Sequence, residues 1–213
     1  MADDPLAAVQ RGLEALYRVE TGVAVRDFMI DDATRTQLSP ARQPREQLLV
    51  HTDADDELAV ALYVCPTAVA NLAAHSPADV VHAALGDLLL AIEGVSHFVY
   101  TVRCAQQTRY VSALELEMQA EVDKYATVLL ATEATAEASA YWRTRLFCDF
   151  AYEDNLDSEE VGRYQTANAH ALQYTGFLER AFVAMGRIPE MLAELRRYYR
   201  LGMQGKFAAG RQR

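Results

Sequence analysis

The sequence predicts an α+β fold that is mostly helical, in which an N-terminal helix and a small antiparallel sheet of about three strands precede a helical bundle. Two observations predict this fold. Short runs of alternating apolar and polar residues occur only before residue 65, and apolar residues recur at helical spacing after it. We therefore expect residues 1–65 to form the helix and sheet, and residues 66–213 to form a bundle with a basic C-terminal segment, in one continuous structural unit.

The N-terminal elements follow from short-range patterns. Apolar side chains at helical spacing predict a first helix over residues 5–20, and alternation predicts a strand over residues 22–30. Residues 46–52 and 57–64 flank an acidic turn, which makes them the predicted hairpin. Residues 31–45 contain two prolines and no periodicity, so we expect a surface loop there.

The rest of the chain carries helix patterns and helix start signals. Ser112 and Asp157 are each followed three residues later by a glutamate, which is the pattern of a capping box. Prolines open other helices at the first helical position. The predicted helices span residues 66–74, 77–104, 113–131, 136–150, 158–185 and 189–200.

Composition excludes several classes of protein. With 51% hydrophobic and 23% charged residues, the chain is neither disordered nor collagen-like. The longest apolar run, residues 88–102, is interrupted by Glu93 and His97, so it does not predict a membrane span. The first residues lack the pattern of a secretory signal, and three cysteines far apart predict reduced thiols. We therefore expect a cytoplasmic protein.

Charge is distributed unevenly along the chain. The formal net charge is -10, but from Arg187 onward seven basic and two acidic residues give +5 and leave −15 on the preceding residues. An acidic body disfavours a general nucleic-acid binder. The C-terminal segment combines arginines with tyrosines, so we expect a contact surface that docks onto the acidic body or a partner protein; the alternatives are a polyanion site and a disordered tail. Its residues are Arg196, Arg197, Tyr198, Tyr199 and Arg200.

Familiar catalytic motifs are absent from the sequence. It contains no glycine-rich phosphate loop, no His-Glu-x-x-His motif and no Gly-x-Ser-x-Gly elbow. Instead, polar residues fall within apolar helix faces. Glu93 and His97 are four residues apart, so they share one side of a helix that is apolar all round. A later helix similarly places Asn168 among apolar residues.

The helix over residues 113–131 repeats this pattern. Glu121 falls within its apolar stripe and Glu117 lies at the edge of that stripe, whereas we expect Glu115, Gln119 and Asp123 to be solvated on the opposite side. Two shielded carboxylates need a positive partner. That partner is expected to be Lys124, Arg103, a protonated His97 or a metal ion.

Three interpretations of these polar residues remain open. They form a buried network that fixes helix register, or an acid–base or ligand site with Glu93, His97 and Glu121 as catalytic candidates. In the third interpretation Glu93, His97, Glu117 and Glu121 bind a metal, although the Glu-x-x-His repeat of di-metal bundles is absent. The sequence leaves the cofactor unknown and implies none strongly. The leading hypothesis is a non-enzymatic interaction or adaptor protein that binds a protein partner or self-associates; the alternative is an enzyme or a ligand-binding or metal-binding protein.

Overall fold

The computed structural model of the chain confirms the predicted fold class. Within the described residues, ten α-helices and one antiparallel sheet form an α+β fold that is 70% helical. The sheet has two strands, so the expectation of three is wrong. None of the three cysteines, Cys65, Cys104 and Cys148, forms a disulfide bond. The structure describes residues 4–41, 43–52, 58–76, 79–149 and 156–211.

The chain divides into two compact units. The first unit comprises Met1–Glu14 and Val19–Tyr110, and the second comprises Ala15–Arg18 and Val111–Arg213. The first unit extends to Tyr110, past residue 65, where the helical pattern of the sequence begins. The physical reason is that the helix over Leu85–Gln106 packs against both strands, and the two helices before it pack against that helix.

The first unit contains the sheet and most of the short helices. Strands β1 and β2 pair antiparallel, with Glu46 opposite Val64 and Thr52 opposite Leu58, which confirms the predicted hairpin. The acidic turn between them lies outside the described residues. The longest helix of this unit, α5, packs against both strands. The elements are α1 (Pro5–Tyr17), α2 (Asp32–Leu38), β1 (Glu46–Thr52), β2 (Leu58–Val64), α3 (Pro66–Ala73), α4 (Val80–Ala83) and α5 (Leu85–Gln106).

The strand predicted over residues 22–30 is wrong, because Val25–Phe28 form a 3-10 helix. In place of the predicted strand, this segment forms an isolated parallel bridge to the sheet, between Met29 and Leu62. The side chain of Gln10 explains the difference. Its Oε1 accepts from the Val25 N–H at 2.8 Å and its Nε2 donates to the Val23 carbonyl at 2.7 Å, so a helix side chain replaces a strand partner.

The loop predicted over residues 31–45 contains α2. Asp31 caps this helix by accepting from the Thr34 N–H at 2.8 Å. Arg35 is buried on it, with its guanidinium 4.4 Å from the Tyr63 ring centroid. A side-chain cap and one cation–π contact therefore stabilise a helix that has no apolar periodicity.

The helix predicted over residues 77–104 is two helices, since the backbone leaves the helical conformation at Ala84 between α4 and α5. By length and composition α5 qualifies as a candidate membrane span, with a mean hydropathy of 1.3, and 61% of its apolar window is buried. A core helix of a globular unit passes the same test.

Helices are the only regular elements among the described residues of the second unit. Helix α6 has the predicted bounds, whereas α8 is shorter than predicted and is followed by a 3-10 helix over Val183–Met185. Helix α6 packs against α7 and α8, and α10 packs against α8 and α9. The helices are α6 (Ala113–Ala131), α7 (Ala136–Phe147), α8 (Ser158–Ala181), α9 (Ile188–Tyr199) and α10 (Met203–Gly210), together with the last residues of α1.

Helices α7 and α10 add two details to the second unit. Trp142 and Phe147 are buried core residues on α7, and Phe150 lies outside the described residues. Helix α10 lies beyond the last predicted helix, over residues 189–200, and was not predicted. Gly202 is the N-cap of α10, and Gly205 lies inside it.

Candidate functional site

Two predicted site residues, Glu93 and His97, lie together on α5 in the first unit. A carboxylate oxygen of Glu93 and a ring nitrogen of His97 are within 4.8 Å of each other. The Nδ1 atom of His97 is 3.6 Å from Oε1 of Glu46, and both of these side chains are 8% exposed. We call Glu46, Glu93 and His97 the acid–histidine group.

Glu46 is a member of this group that the sequence did not indicate. It is the first residue of β1, where a charged side chain is normally solvated. Gly94 on α5 allows it to approach, because a Cβ atom at this position would lie 2.9 Å from Cγ of Glu46. The signal available in the sequence was a glycine on the same helix as Glu93 and His97, which indicates a close approach of another element.

The other two predicted metal ligands, Glu117 and Glu121, lie on α6 in the second unit. Glu117 is buried, and its Oε1 is 3.5 Å from Nε of Arg163. Glu121 is half-buried and accepts from Nζ of Lys124 at 2.8 Å. Lys124 is one of the positive partners that the sequence suggested, whereas Arg163 was missed. Asn168, also predicted as an unusual polar position, is half-buried on α8.

The expectation that Glu115, Gln119 and Asp123 are solvated is wrong. Their exposed fractions are 3%, 0% and 1%, because the end of α1 and helix α10 cover this side of α6. The Tyr17 hydroxyl donates to Asp123, and Nε2 of Gln119 donates to the same carboxylate at 2.7 Å. Lys206 of α10 donates to Oε1 of Gln119. Polar side chains therefore hold three helix segments together.

Lys206 continues this network towards α8 and α9. It is completely buried, and its Nζ lies 4.2 Å from the Tyr198 ring centroid. The Tyr198 hydroxyl is 2.9 Å from Nε2 of His170. Burial, with a smaller contribution from the Lys206 charge, lowers the pKa of His170 to about 4, so this ring is neutral at pH 7. We call Tyr17, Gln119, Asp123, His170, Tyr198 and Lys206 the interior network.

The polar groups of the interior network are hydrogen-bonded to one another. Burial first, and then the Asp123 charge, raise the pKa of Tyr17 well above its ordinary value, and the pKa of Tyr198 is raised for the same reasons with a further effect of Glu115. Both hydroxyls therefore remain protonated as donors near neutral pH. Such satisfied groups fix the register of packed helices.

The C-terminal contact surface is only partly available to a partner. Tyr198 and Tyr199 are buried, and Tyr199 stacks on Tyr17 with ring centroids 4.0 Å apart. Their expected place on the surface with the arginines is wrong, because α9 turns its tyrosines into the unit and leaves its arginines outside. Nε of Arg196 donates to the Leu16 carbonyl at 2.8 Å, which satisfies one of the last carbonyls of α1.

Several arginines converge at this end of α1. Arg200 donates to the Tyr17 carbonyl at 3.2 Å, and burial, followed by the charges of Arg18 and Arg200, lowers the pKa of Arg196. We call Arg18, Arg196 and Arg200 the basic cluster. Arg197, in contrast, makes two hydrogen bonds of 2.7 Å with Glu194.

The second unit thus carries the basic cluster and the interior network, and the first unit carries the acid–histidine group. These three sets of residues are the candidates for function. Comparison of the chain with protein-family models, with curated proteins and with solved structures gave no match.

Proposed function

We propose that this chain is a non-enzymatic binding protein of the cytoplasm, in which the basic cluster of the second unit contacts an acidic surface of a partner protein. The observation that carries the proposal is the convergence of three guanidinium groups. Their mutual repulsion contributes to the lowered pKa of Arg196, and Arg18 and Arg200 are exposed. A carboxylate-rich surface would relieve this repulsion and form charge-assisted hydrogen bonds.

The positions of two carboxylates on α6, Glu117 and Glu121, support this proposal. Glu117 lies beside Arg163 and Glu121 is bonded to Lys124, so each has a cationic neighbour within the same unit. Paired carboxylates of this kind serve the packing of helices and need no substrate to explain them. The exposed arginines at the end of α1 have no comparable role in the interior.

The basic cluster is also held in a defined geometry. Arg196 and Arg200 each donate to a main-chain carbonyl of α1, and Tyr199, the residue before Arg200, stacks on Tyr17 of the same helix. Side chains that are already ordered lose less conformational entropy when a partner binds. Such preorganisation favours a contact surface over a solvated helix end.

The test is the double substitution of Arg18→Gln and Arg200→Gln in the full chain. We expect it to remove a partner protein that co-purifies with the wild type, and to weaken binding of that purified partner at least tenfold. Arg187→Gln is the matched control, because Arg187 is an exposed arginine of the same unit that is paired with Glu190. Equal binding by the double variant, or recovery of no partner protein with the wild type, would contradict the proposal.

A second candidate function, divalent-metal binding, is favoured by the acid–histidine group of the first unit. This group offers two carboxylates and one imidazole. Glu46 comes from β1, and Glu93 and His97 lie four residues apart on α5. These ligands suit zinc, manganese or iron. The low exposure of Glu46 and His97 would give a bound ion a dry environment.

Elemental analysis combined with native mass spectrometry tests the second candidate, on full-length protein purified without chelator. We expect about one metal ion per chain, lost in the His97→Gln and Glu93→Gln variants. His82→Gln is the control, because His82 is an exposed histidine of the same unit. A metal-free wild type that takes up neither Zn²⁺ nor Mn²⁺ would reject metal binding and leave the first proposal unaffected.

A further inference from the structure

We propose that the second unit contains a binding pocket for a small molecule that carries a phosphate monoester, in a cleft between α7, α8 and the end of α10. The cleft has a volume of about 590 Å³, which lies within the range of small-molecule sites. Its lining includes Arg143, Arg180 and Arg211 together with Gln173 and Gly176. This inference is independent of the proposed function, because it uses none of the basic cluster.

The charge of the cleft matches a doubly charged anion. Three guanidinium groups line it, and no carboxylate does so among the described residues. Arg143 is paired with Glu179 at 3.2 Å, and the second oxygen of Glu179 accepts from Ser139 at 2.7 Å. Two positive charges therefore remain for a ligand, and a phosphate monoester carries about −1.5 to −2 at pH 7.

The arginines of the cleft also retain hydrogen-bond donors. Nε of Arg143 is buried and has no hydrogen-bond partner within the part of the chain that the structure describes. Arg180 and Arg211 line the cleft and are exposed to solvent. A buried donor without an acceptor is rare in folded proteins, and guanidinium groups bind phosphate oxygens through two parallel hydrogen bonds.

Gly176 explains how the guanidinium groups of Arg143 from α7 and Arg180 from α8 can both lie against α8. A Cβ atom at this position would lie 2.7 Å from a terminal nitrogen of Arg143 and 3.2 Å from one of Arg180. The glycine thus leaves room for both guanidinium groups directly against the helix. Glu179 pairs with Arg143, and a bound anion would compensate the adjacent charge of Arg180.

A neighbouring cleft of about 590 Å³ provides space for the organic part of the ligand. It shares Gln173 and Arg211 with the arginine-lined cleft, and Thr166, His170 and Phe207 also line it. Because His170 is neutral at pH 7, this region offers aromatic surface and uncharged hydrogen-bonding groups. The two clefts together fit a phosphate on one side and an uncharged polar or aromatic group on the other.

Phenyl phosphate is the probe, and isothermal titration calorimetry on the full chain measures its binding. We expect saturable binding, weakened at least tenfold by Arg180→Gln and by Arg211→Gln. Both residues are exposed, so neither substitution should unfold the protein. Arg187→Gln should bind as the wild type does, because that arginine lies outside both clefts.

A Gly176→Ala variant separates geometry from charge. It retains all three arginines but displaces two guanidinium groups, so we expect weaker binding with the helical content unchanged. Succinate distinguishes phosphate from a dicarboxylate, and equal affinity for succinate would overturn the assigned ligand class. Absence of saturation by phenyl phosphate at about 10 mM, or unchanged affinity in Arg180→Gln, would overturn the site.

Discussion

Lys206 illustrates how single residues determine the interior of the second unit. Its ammonium group is completely buried, and its position is set by the Tyr198 ring and by Gln119. An ammonium group in this environment is stabilised by the ring face and by oxygen acceptors, since removal from water alone would be strongly unfavourable. Gln119 in turn donates to the buried carboxylate of Asp123, which places a negative charge in the same network.

The Tyr17 hydroxyl is the first of these contacts that a substitution can test. Tyr17→Phe removes the donor to the buried Asp123 and keeps the ring that stacks on Tyr199. We expect the free energy of unfolding to fall by about 2 kcal/mol, because the lost hydrogen bond involves a charged acceptor. Urea titration measures it. Tyr141→Phe on the exposed Tyr141 is the control, and an equal loss in both variants would contradict the assignment.

His170 makes stability depend on pH. Its pKa is about 4 in the folded chain, against an ordinary value of 6.5, because burial and then Lys206 disfavour the charged ring. Between pH 6.5 and 4 the unfolded chain therefore binds one more proton than the folded chain at this residue. The stabilisation is complete above pH 6.5 and is lost as the pH falls to about 4, by roughly 3 kcal/mol.

Comparison with His170→Gln isolates this contribution to the pH dependence. We expect the free energy of unfolding to fall less steeply between pH 6.5 and 4 in the variant than in the wild type. His75→Gln is the control, since His75 is exposed and should leave the slope unchanged. Parallel curves for the wild type and His170→Gln would show that the ring is not buried in its neutral form.

At the scale of the helix, α6 shows what periodicity can and cannot predict. Its bounds follow from a capping serine and a regular apolar stripe, so residues 113–131 were correctly predicted. Its buried polar side was not, because Lys206 and Tyr17 lie 87 and 106 residues away from their α6 partners along the chain. A helical wheel contains no information on which distant element covers a face.

The candidate sites show the same limit. The spacing of Glu93 and His97 correctly placed both residues on one side of a buried helix, and Lys124 was correctly named as a partner of Glu121. Glu46 and Arg163 come from other elements, so only tertiary packing brings them to these positions. Residues within one helix can be predicted together, whereas contacts between elements cannot.

The close packing of α10 against α8 requires a glycine at the end of α10, at Gly210. A Cβ atom on Gly210 would lie 2.6 Å from ring atoms of His170, so Gly210→Ala forces α10 away from α8. We expect a loss of about 1–3 kcal/mol in the free energy of unfolding. Gly162→Ala on α8 is the matched control, because nothing lies within 4 Å of its added methyl group.

The control variant, Gly162→Ala, should change the free energy of unfolding in the opposite direction. Gly162 is exposed in the first turns of α8, where alanine has the higher helix propensity. We therefore expect Gly162→Ala to raise the free energy of unfolding by about 0.5–1 kcal/mol. Thermal denaturation followed by circular dichroism measures both variants, and a gain in stability for Gly210→Ala would contradict the close approach of α10.

At the scale of the whole molecule, net charge and local charge act in opposite directions. The chain carries -10 overall, whereas the basic cluster and the arginine-lined cleft are locally positive. Over distances longer than the Debye length, about 8 Å at physiological salt, opposite charges elsewhere are screened. A small anion that enters the cleft therefore experiences the local arginines, while an extended polyanion also meets the acidic remainder of the chain.

This difference predicts that the protein binds a small phosphate ester but not a nucleic acid. We expect no saturable binding of a single-stranded oligonucleotide of about 20 nucleotides at about 0.15 M salt, measured by fluorescence anisotropy. Phenyl phosphate binding in the same buffer should persist, since few counterions are released when two or three arginines contact one phosphate. Tight oligonucleotide binding that falls steeply with added salt would show that the basic groups of the second unit outweigh the net charge of the chain.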